Sequence, residues 1–236
     1  MSLPLDIRGN LLETDDRIRA GFIGCGSHSF RNIYPTFQFA GVNLIATCDH
    51  HADKAAAYAS QFGAERSYTD YREMLAREQL DAVFIVTNYD TDGTPRFMRL
   101  AQDCMKAGVH VWVEKPPSAS VREVEETITV SRTTGKFTLV GFKKCFFPAI
   151  EKVKEITEQP DFGAISTIYV RYPQRIPAEE EKPDCSNRAV QGFLDHIVHP
   201  MSVLNYIGGK VHTLYVDRST NGGGFGLFKM ASGASA

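Results

Sequence analysis

Charged and imidazole side chains occur in this sequence at two spacings suited to acid–base chemistry. Glu114-Lys115-Pro116 follows directly on the apolar run Val109–Val113, which predicts a strand with a charge pair at its carboxyl end. Asp195 and His199 are four residues apart, so on a helix both side chains lie on one face. Because Pro200 disfavours helical backbone at His199, we expect the helix to be in its first turns there or distorted.

A glycine-rich turn lies near the start of the chain. The apolar run Ile18–Ile23 leads into Gly24-x-Gly26-x-x-Ser29 and then into the helix-compatible segment Phe30–Phe39, the context in which this pattern binds a dinucleotide. Gly24 permits a tight turn, and Gly26 lets the backbone approach a pyrophosphate at the helix N-terminus. Ser29 is slightly larger than the Gly or Ala expected there, so an ordinary loop is the alternative interpretation.

Asp49 determines the predicted cofactor. It follows the apolar run Asn43–Cys48, twenty residues beyond Ser29, where a carboxylate accepts both adenosine-ribose hydroxyls. A 2′-phosphate would meet this charge, and His50 and His51 follow in place of an arginine. The sequence therefore favours NAD, with NADP possible, although a solvated Asp at a strand end would look the same. The expected cofactor contacts are Gly24, Gly26, Ser27, His28, Ser29, Asp49, His50, Thr87, Asn88, Glu114, Lys115 and Pro116.

These residues must be positioned by a fold in which short apolar runs alternate with helical segments, the pattern of parallel strands joined by crossover helices. The predicted strands are Ile18–Gly24, Asn43–Cys48, Ala82–Val86, Val109–Val113 and Phe137–Val140, and the clearest helices are Ala52–Phe62, Pro95–Lys106 and Ser120–Thr133. The sequence thus predicts an α/β fold, a doubly wound Rossmann sheet over residues 18–141, preceded by a tail over residues 1–17.

Residues 142–236 change character and predict an α+β domain for substrate binding and oligomerisation. Helices are expected over about Pro148–Thr157 and around Asp195–Tyr206, and strands over Ala164–Tyr172, Val211–Asp217 and Phe225–Met230. The expected sheet is open and mainly antiparallel. It lacks further strands after Met230, so we expect this domain to be incomplete and its sheet edge to pair with another chain.

Composition narrows the function classes. With 26 basic and 28 acidic residues, a formal charge of −2, the chain lacks the cationic footprint of a nucleic-acid binder. Its apolar runs are strand-sized, which argues against a membrane span, and its polar start argues against a signal peptide. Five cysteines without a CxxC pair predict a reduced, cytoplasmic protein. No further ligand joins Asp195, His196 and His199, so no metal site is expected.

Three ordered motifs resemble those of the Gfo/Idh/MocA oxidoreductases, the family of glucose-fructose oxidoreductase and inositol dehydrogenase. They are Gly24-Cys25-Gly26, Glu114-Lys115-Pro116 and Asp195-x-x-x-His199, and the resemblance runs from about Ile18 to the last residue. It implies hydride transfer between a nicotinamide and a hydroxyl-bearing carbon of a sugar, inositol or polyol, and a cis bond before Pro116. The segment Thr87–Thr94 departs from the family, which has Thr-Pro and then a histidine there.

The resemblance also implies catalytic roles. Lys115, Asp195 and His199 would act on the substrate hydroxyl: His199 takes its proton, Lys115 stabilises the developing alkoxide, and Asp195 orients the imidazole or the substrate. Further substrate contacts are expected at Lys143 and Lys144, where exposed linker lysines are the alternative, and at His196 as a neighbour.

The sequence therefore predicts an NAD(P)-dependent dehydrogenase acting on CH–OH groups, assembled as a homodimer or homotetramer. A dinucleotide-binding regulator of the same family is the alternative. Such regulators typically lose the catalytic lysine or histidine, whereas this chain retains Lys115 and His199. A methyltransferase with a glycine turn is disfavoured by the other two motifs.

Overall fold

The computed structural model describes residues 17–236, so the predicted tail lies outside the described residues apart from Arg17. The chain divides into two compact units. The first extends to Asp90 and resumes over Pro95–Val140, and the second contains Thr91–Thr94 and Gly141–Ala236.

The first unit is built on a six-stranded parallel sheet. Its strand order is β3-β2-β1-β4-β5-β6, with every neighbouring pair parallel. This order reverses direction between β1 and β4, which confirms the predicted doubly wound Rossmann topology. The strands are β1 (Ile18–Ile23), β2 (Val42–Cys48), β3 (Arg66–Tyr68), β4 (Ala82–Ile85), β5 (His110–Val113) and β6 (Thr138–Val140).

Four α-helices connect these strands, and each begins or ends with a recognisable signal. They are α1 (Ala52–Phe62), α2 (Tyr71–Arg77), α3 (Phe97–Lys106) and α4 (Val121–Thr134). Gly63 and Gly135 end α1 and α4 in the left-handed conformation, which glycine adopts without steric cost. Ser120 caps the start of α4 by accepting a hydrogen bond from Glu123 N.

Two parts of the first unit differ from the sequence prediction. Five strands were expected, but the short edge strand β3 makes six. The segment expected to form a helix over Phe30–Phe39 is instead a π-helical turn, Ser29–Ile33, followed by a 3-10 helix, Tyr34–Phe39. Pro35 lies at the start of that 3-10 helix and cannot donate the backbone hydrogen bond that a continuous α-helix would need.

Alternate side chains of the strands fill two apolar clusters. Val83 and Ile85 of β4 belong to one cluster, whereas Phe84 between them packs into the other. Because neighbouring residues of a strand point to opposite faces, the clusters cover the two sides of the sheet. In folds of this kind ligands bind at the carboxyl edge of the sheet.

The second unit contains two helices and one antiparallel hairpin. A 3-10 turn, Lys143–Phe146, precedes α5 (Pro148–Thr157) and the long α6 (Arg188–Gly208), and the strands β7 (Val211–Arg218) and β8 (Gly224–Met230) pair antiparallel. The prediction of a strand over Ala164–Tyr172 is wrong. Within the described residues this segment pairs only at Thr167, in a bridge to Ser235, so most of its backbone lacks the ladder that a strand requires.

Both faces of the β7–β8 hairpin carry exposed apolar side chains. Leu214, Tyr215 and Val216 are successive on β7 and are all exposed, as are Phe225 and Leu227 on β8. The second unit buries a small cluster instead, centred on Leu204 and Met230. Among residues 17–236, no helix combines the length and the apolar character needed to cross a bilayer.

Candidate functional site

The turn after β1 has the shape of a pyrophosphate cradle. Gly24 has φ +109°, and a Cβ there would lie 1.9 Å from Val86 O, so only glycine fits. A Cβ on Gly26 would meet nothing within 4 Å, which leaves open space beside an exposed backbone. Phe30 N donates to Gly26 O at 3.0 Å and starts the following helical turn. The two glycines therefore have separate roles: Gly24 allows the turn, and Gly26 opens it.

Asp49 ties this turn to the end of β2. Its Oδ2 accepts a hydrogen bond from Cys25 N at 2.8 Å, and its Oδ1 accepts one from His51 N at 3.0 Å. Each carboxylate oxygen keeps a further lone pair for a ribose hydroxyl. The predicted ribose ligand thus also holds the glycine turn in place, while His50 beside it is exposed.

The side chains of Cys25 and Ser29, beneath the turn, are buried, and the Cys25 thiol is unreactive. Burial raises the pKa of the Cys25 thiol to about 11, so this thiol stays protonated at neutral pH and is a poor nucleophile. Ser29 is fully buried, which agrees with a third motif position that needs a small side chain. Ser27 lies at the exposed side of the turn and its Oγ accepts from Arg31 Nε at 3.1 Å. The residues present therefore fit a bound dinucleotide.

Two arginines, Arg96 and Arg99, form ion pairs with the segment that follows β4. The Asp90 carboxylate pairs with Arg96 at 2.9 Å and also with Arg99, and Arg96 Nη2 donates to Tyr89 O at 3.2 Å. This network holds the segment that lacks the Thr-Pro and histidine of the family. Of the two cofactor contacts predicted there, Thr87 is partly buried and Asn88 is exposed.

Glu114 is the buried carboxylate at the end of β5. Its Oε2 accepts from Lys115 N at 3.0 Å, and its Oε1 lies 3.1 Å from His28 Nε2. The Asn32 side-chain amide nitrogen lies 3.1 Å from His28 Nδ1, so Nδ1 accepts and Nε2 carries the proton donated to Glu114. The bond between Lys115 and Pro116 is cis, as the resemblance implied.

The His28–Glu114 hydrogen bond connects the two halves of the sheet. β4 lies between β1 and β5 in the strand order, so the bond passes over the end of β4. In doubly wound folds each half binds one mononucleotide, and the dinucleotide lies across the crevice between them. His28, which the sequence placed among the cofactor contacts by position alone, therefore links the glycine turn to the strand end that bears Lys115.

In the second unit, α6 carries both members of the Asp-x-x-x-His motif. Asn187 caps this helix by accepting from Ala189 N at 2.8 Å, so the helix begins well before His199 and continues through Pro200. Of the two alternatives predicted from Pro200, the one that places His199 in the first turns is wrong; a distortion of the helix at His199 stays a prediction. His199 is buried and Asp195 half-buried, one turn apart on one face.

The predicted substrate contacts His196, Lys143 and Lys144 differ in burial and in the groups that surround them. His196 is exposed and its Nδ1 lies 2.8 Å from Gly192 O. Lys143 is exposed, whereas the Lys144 ammonium lies 4.4 Å above the centre of the Tyr172 ring. That ring lies 6.4 Å from the His199 ring. The structure thus brings Lys144 towards the helix face of His199.

Tyr172 is the residue of this site that sequence reasoning missed. From Tyr172 to Ile176 half-buried and exposed residues alternate, as in an extended chain with one covered face. Gln174, two residues on, donates from Nε2 to Phe193 O on α6 at 2.7 Å. The sequence prediction placed Tyr172 at the end of a strand over Ala164–Tyr172 and did not anticipate its contact with α6. Among the described residues no cluster of three His, Cys, Asp or Glu side chains could hold a metal ion.

Comparison with known proteins adds sequence relatives. The family model GFO_IDH_MocA, described as "Oxidoreductase family, NAD-binding Rossmann fold", matches residues 18–142. The uncharacterized oxidoreductase YrbE of Bacillus subtilis is 25% identical over 202 residues, covering 84% of this chain and 56% of that protein. Myo-inositol 2-dehydrogenase of Thermotoga maritima is 27% identical over 205 residues, covering 86% and 58%. The chain thus spans little more than half the length of these curated relatives.

Solved structures show the same fold. The WlbA dehydrogenase of Chromobacterium violaceum, in complex with NADH and UDP-GlcNAcA, superposes with a TM-score of 0.73 at 22% identity, covering 94% of this chain and 66% of that one. Myo-inositol 2-dehydrogenase of Lactobacillus plantarum gives 0.71 at 23% identity, covering 93% and 68%. At these identities the likeness establishes the architecture.

Proposed function

The chain belongs to the Gfo/Idh/MocA oxidoreductase family, whose Rossmann fold binds NAD, and we propose that it is a dehydrogenase acting on a CH–OH group of a sugar, an inositol or a related polyol. The end of β5 carries this proposal. Glu114 is buried and accepts hydrogen bonds from Lys115 N and His28. Lys115 is thereby held at the carboxyl edge, in the half of the sheet that takes a nicotinamide mononucleotide.

The cofactor would be held by the glycine turn and Asp49, with NAD preferred over NADP. Gly26 leaves room for the pyrophosphate, and the Asp49 carboxylate would receive the adenosine-ribose hydroxyls but repel a 2′-phosphate. Thr87, Asn88 and His50 remain predicted contacts. When bound, the nicotinamide supplies the hydride acceptor.

The chain's own residues handle the proton and the charge. His199 takes the proton of the substrate hydroxyl as its carbon gives up hydride. The Lys115 ammonium stabilises the alkoxide that forms, because a cation favours an oxyanion over a neutral hydroxyl. Asp195, one turn before His199, orients the imidazole or the substrate. Lys143 and His196, both exposed, remain predicted substrate contacts.

Replacing the proposed base tests this function. His199→Ala should lower kcat on a reactive polyol about 100- to 10,000-fold, the range supplied by a positioned general base, and leave NADH affinity within a factor of two. Lys115→Ala should lower kcat/KM by a comparable factor. Turnover is followed by NADH absorbance and cofactor affinity by NADH fluorescence, across a panel of sugars, inositols and polyols.

His212→Ala is the matched control, because this histidine is exposed on β7 and should leave both readings unchanged. Full activity in His199→Ala would exclude the proposed base. Tight NADH binding without turnover on the whole panel would instead support the regulator of the same family.

The remaining expectations concern assembly and location. We propose a cytoplasmic homodimer or homotetramer in which the exposed apolar hairpin β7–β8 is covered by another chain, because apolar patches of this kind mark contact surfaces. Light scattering of the purified chain measures this. A clean monomer would contradict it.

A further inference from the structure

Two adjacent lysines of the second unit differ in surroundings. The 3-10 turn that carries them is anchored by the buried Cys145. Lys143 is exposed on this turn, whereas Lys144 is half-buried with its ammonium 4.4 Å above the Tyr172 ring. An ammonium over an aromatic face is held in place by the ring quadrupole. This contact therefore defines the position of the Lys144 ammonium.

The charge of Lys144 is held but not neutralised. Four other basic side chains of this unit form ion pairs with carboxylates: Lys152 with Glu155, Lys154 with Glu158, Lys182 with Glu179 and Arg175 with Glu181. Within residues 17–236 no carboxylate forms an ion pair with Lys144; its partner is the ring of Tyr172. A cation kept without a counter-ion can receive an anionic group.

This cation lies on the side of α6 that bears the proposed base. The Tyr172 ring is 6.4 Å from the His199 ring, so one aromatic side chain connects the ammonium to the imidazole. Gln174 donates to Phe193 O at 2.7 Å and fixes the same extended segment nearly two turns before His199 on α6. The acidic group of this helix face is Asp195, for which a role with the reacting hydroxyl is proposed above.

We propose that Lys144 binds a carboxylate of the substrate, so that the preferred substrate is a sugar acid or another hydroxy acid rather than a neutral polyol. Tyr172 acts as a positioning residue that holds the ammonium beside His199. The inference rests on the dehydrogenase function proposed above. It assigns the carboxylate to recognition alone: the alcohol carbon still loses hydride to the nicotinamide and its hydroxyl proton to His199.

Matched substrate pairs test the inference. D-Galacturonate is compared with D-galactose, and D-glucuronate with D-glucose. The rate of NADH formation gives KM and kcat for each substrate. We expect the acid of at least one pair to have the higher kcat/KM. Lys144→Gln should raise its KM about tenfold, the effect of losing one charge-assisted hydrogen bond in a half-exposed site, with kcat changed less than twofold and the neutral sugar unaffected.

Control variants separate recognition from folding. Lys152→Gln, on the exposed face of α5, should leave every constant unchanged. Tyr172→Leu removes the aromatic face and should raise the KM for the acid severalfold. Tyr172→Phe keeps the aromatic face, so its KM for the acid should equal that of the wild type. A KM rise in Lys143→Gln instead of Lys144→Gln would overturn the assignment.

Different results would contradict the dehydrogenase function and the carboxylate contact of Lys144. Turnover of neutral sugars with no preference for the acids leaves the dehydrogenase intact and overturns the carboxylate inference. If neither member of a pair is oxidised, calorimetric titration of each acid into the NADH-saturated protein decides: binding that is lost in Lys144→Gln supports the inference, and binding equal in both proteins, or undetectable in the wild type, refutes it.

Discussion

The two units of this chain support their functional groups on different foundations. In the first, side chains of a six-stranded sheet fill apolar clusters on both faces, so the glycine turn, Asp49 and Glu114 stand at the edge of a packed layer. In the second, one small cluster supports α6, and the hairpin leaves both faces exposed. The proposed cofactor contacts therefore rest on a packed sheet, whereas His199 lies on one helix and Lys144 on a short 3-10 turn.

The largest effect is expected at the glycine turn. Gly24→Ala places a methyl group 1.9 Å from Val86 O at a positive φ, which strains the backbone by about 1–3 kcal/mol and displaces the turn. We expect NADH affinity to fall more than about 100-fold, a loss of about 3 kcal/mol, with a lower melting temperature. Gly26→Ala meets open space, so it should melt like the wild type and still bind NADH weakly. Equal melting temperatures for both variants would contradict this division of roles.

A pair of buried methionines compares the two cores directly. Met105 belongs to the large cluster of the first unit and Met230 to the small cluster of the second, and both are almost fully buried. Met→Ala at such positions costs about 2–5 kcal/mol of unfolding free energy, and we expect the larger cost at Met105, where the surrounding sheet cannot collapse into the cavity. Urea unfolding gives both values.

Trp112 sharpens the same experiment because it is the only tryptophan and lies on β5 of the first unit. Its fluorescence reports unfolding of the sheet, while far-ultraviolet circular dichroism reports both units. An equal shift in both signals for Met230→Ala would show that the units unfold as one cooperative body.

The smallest effect is expected at the bridge over β4. His28→Ala removes the hydrogen bond to Glu114, and because His28 is half-exposed we expect about a 3- to 10-fold loss of NADH affinity. ADP-ribose, which lacks the nicotinamide, should bind as in the wild type. His28→Gln supplies an amide donor and should recover most of the affinity. An equal loss for ADP-ribose and NADH would assign His28 to the pyrophosphate alone.

The first unit could largely be predicted from sequence because strands covered on both faces are continuously apolar. The sequence did not predict β3, because it is a three-residue edge strand, Arg66–Tyr68, with polar side chains. The helix α2 carried a signal that the sequence prediction did not use, since Asp70 accepts from Arg72 N at its start and Glu73 follows three residues after the cap.

The second unit was harder because its structure depends on contacts distant in sequence. A strand over Ala164–Tyr172 needs a partner along its length, and this segment pairs only at Thr167, with Ser235. Its half-buried residues, Ile165, Ile168 and Tyr172, are three and four residues apart, so the two-residue period of a strand is absent. The spacing of Asp195 and His199 placed them on one helix face as expected. Tyr172 could not be predicted beside His199, because that contact joins an extended segment to a helix more than twenty residues away.

Asp49 has a consequence for anyone who wishes to redesign the cofactor preference. Exchanging an acidic residue at this position for a neutral one is the obvious way to admit a 2′-phosphate. Here the same carboxylate accepts from Cys25 N and His51 N, so alanine would also loosen the glycine turn. Serine or asparagine keeps a short acceptor for one of these amides and so preserves the glycine turn. Combined with a cation in place of His50, either residue removes the negative charge that repels a 2′-phosphate.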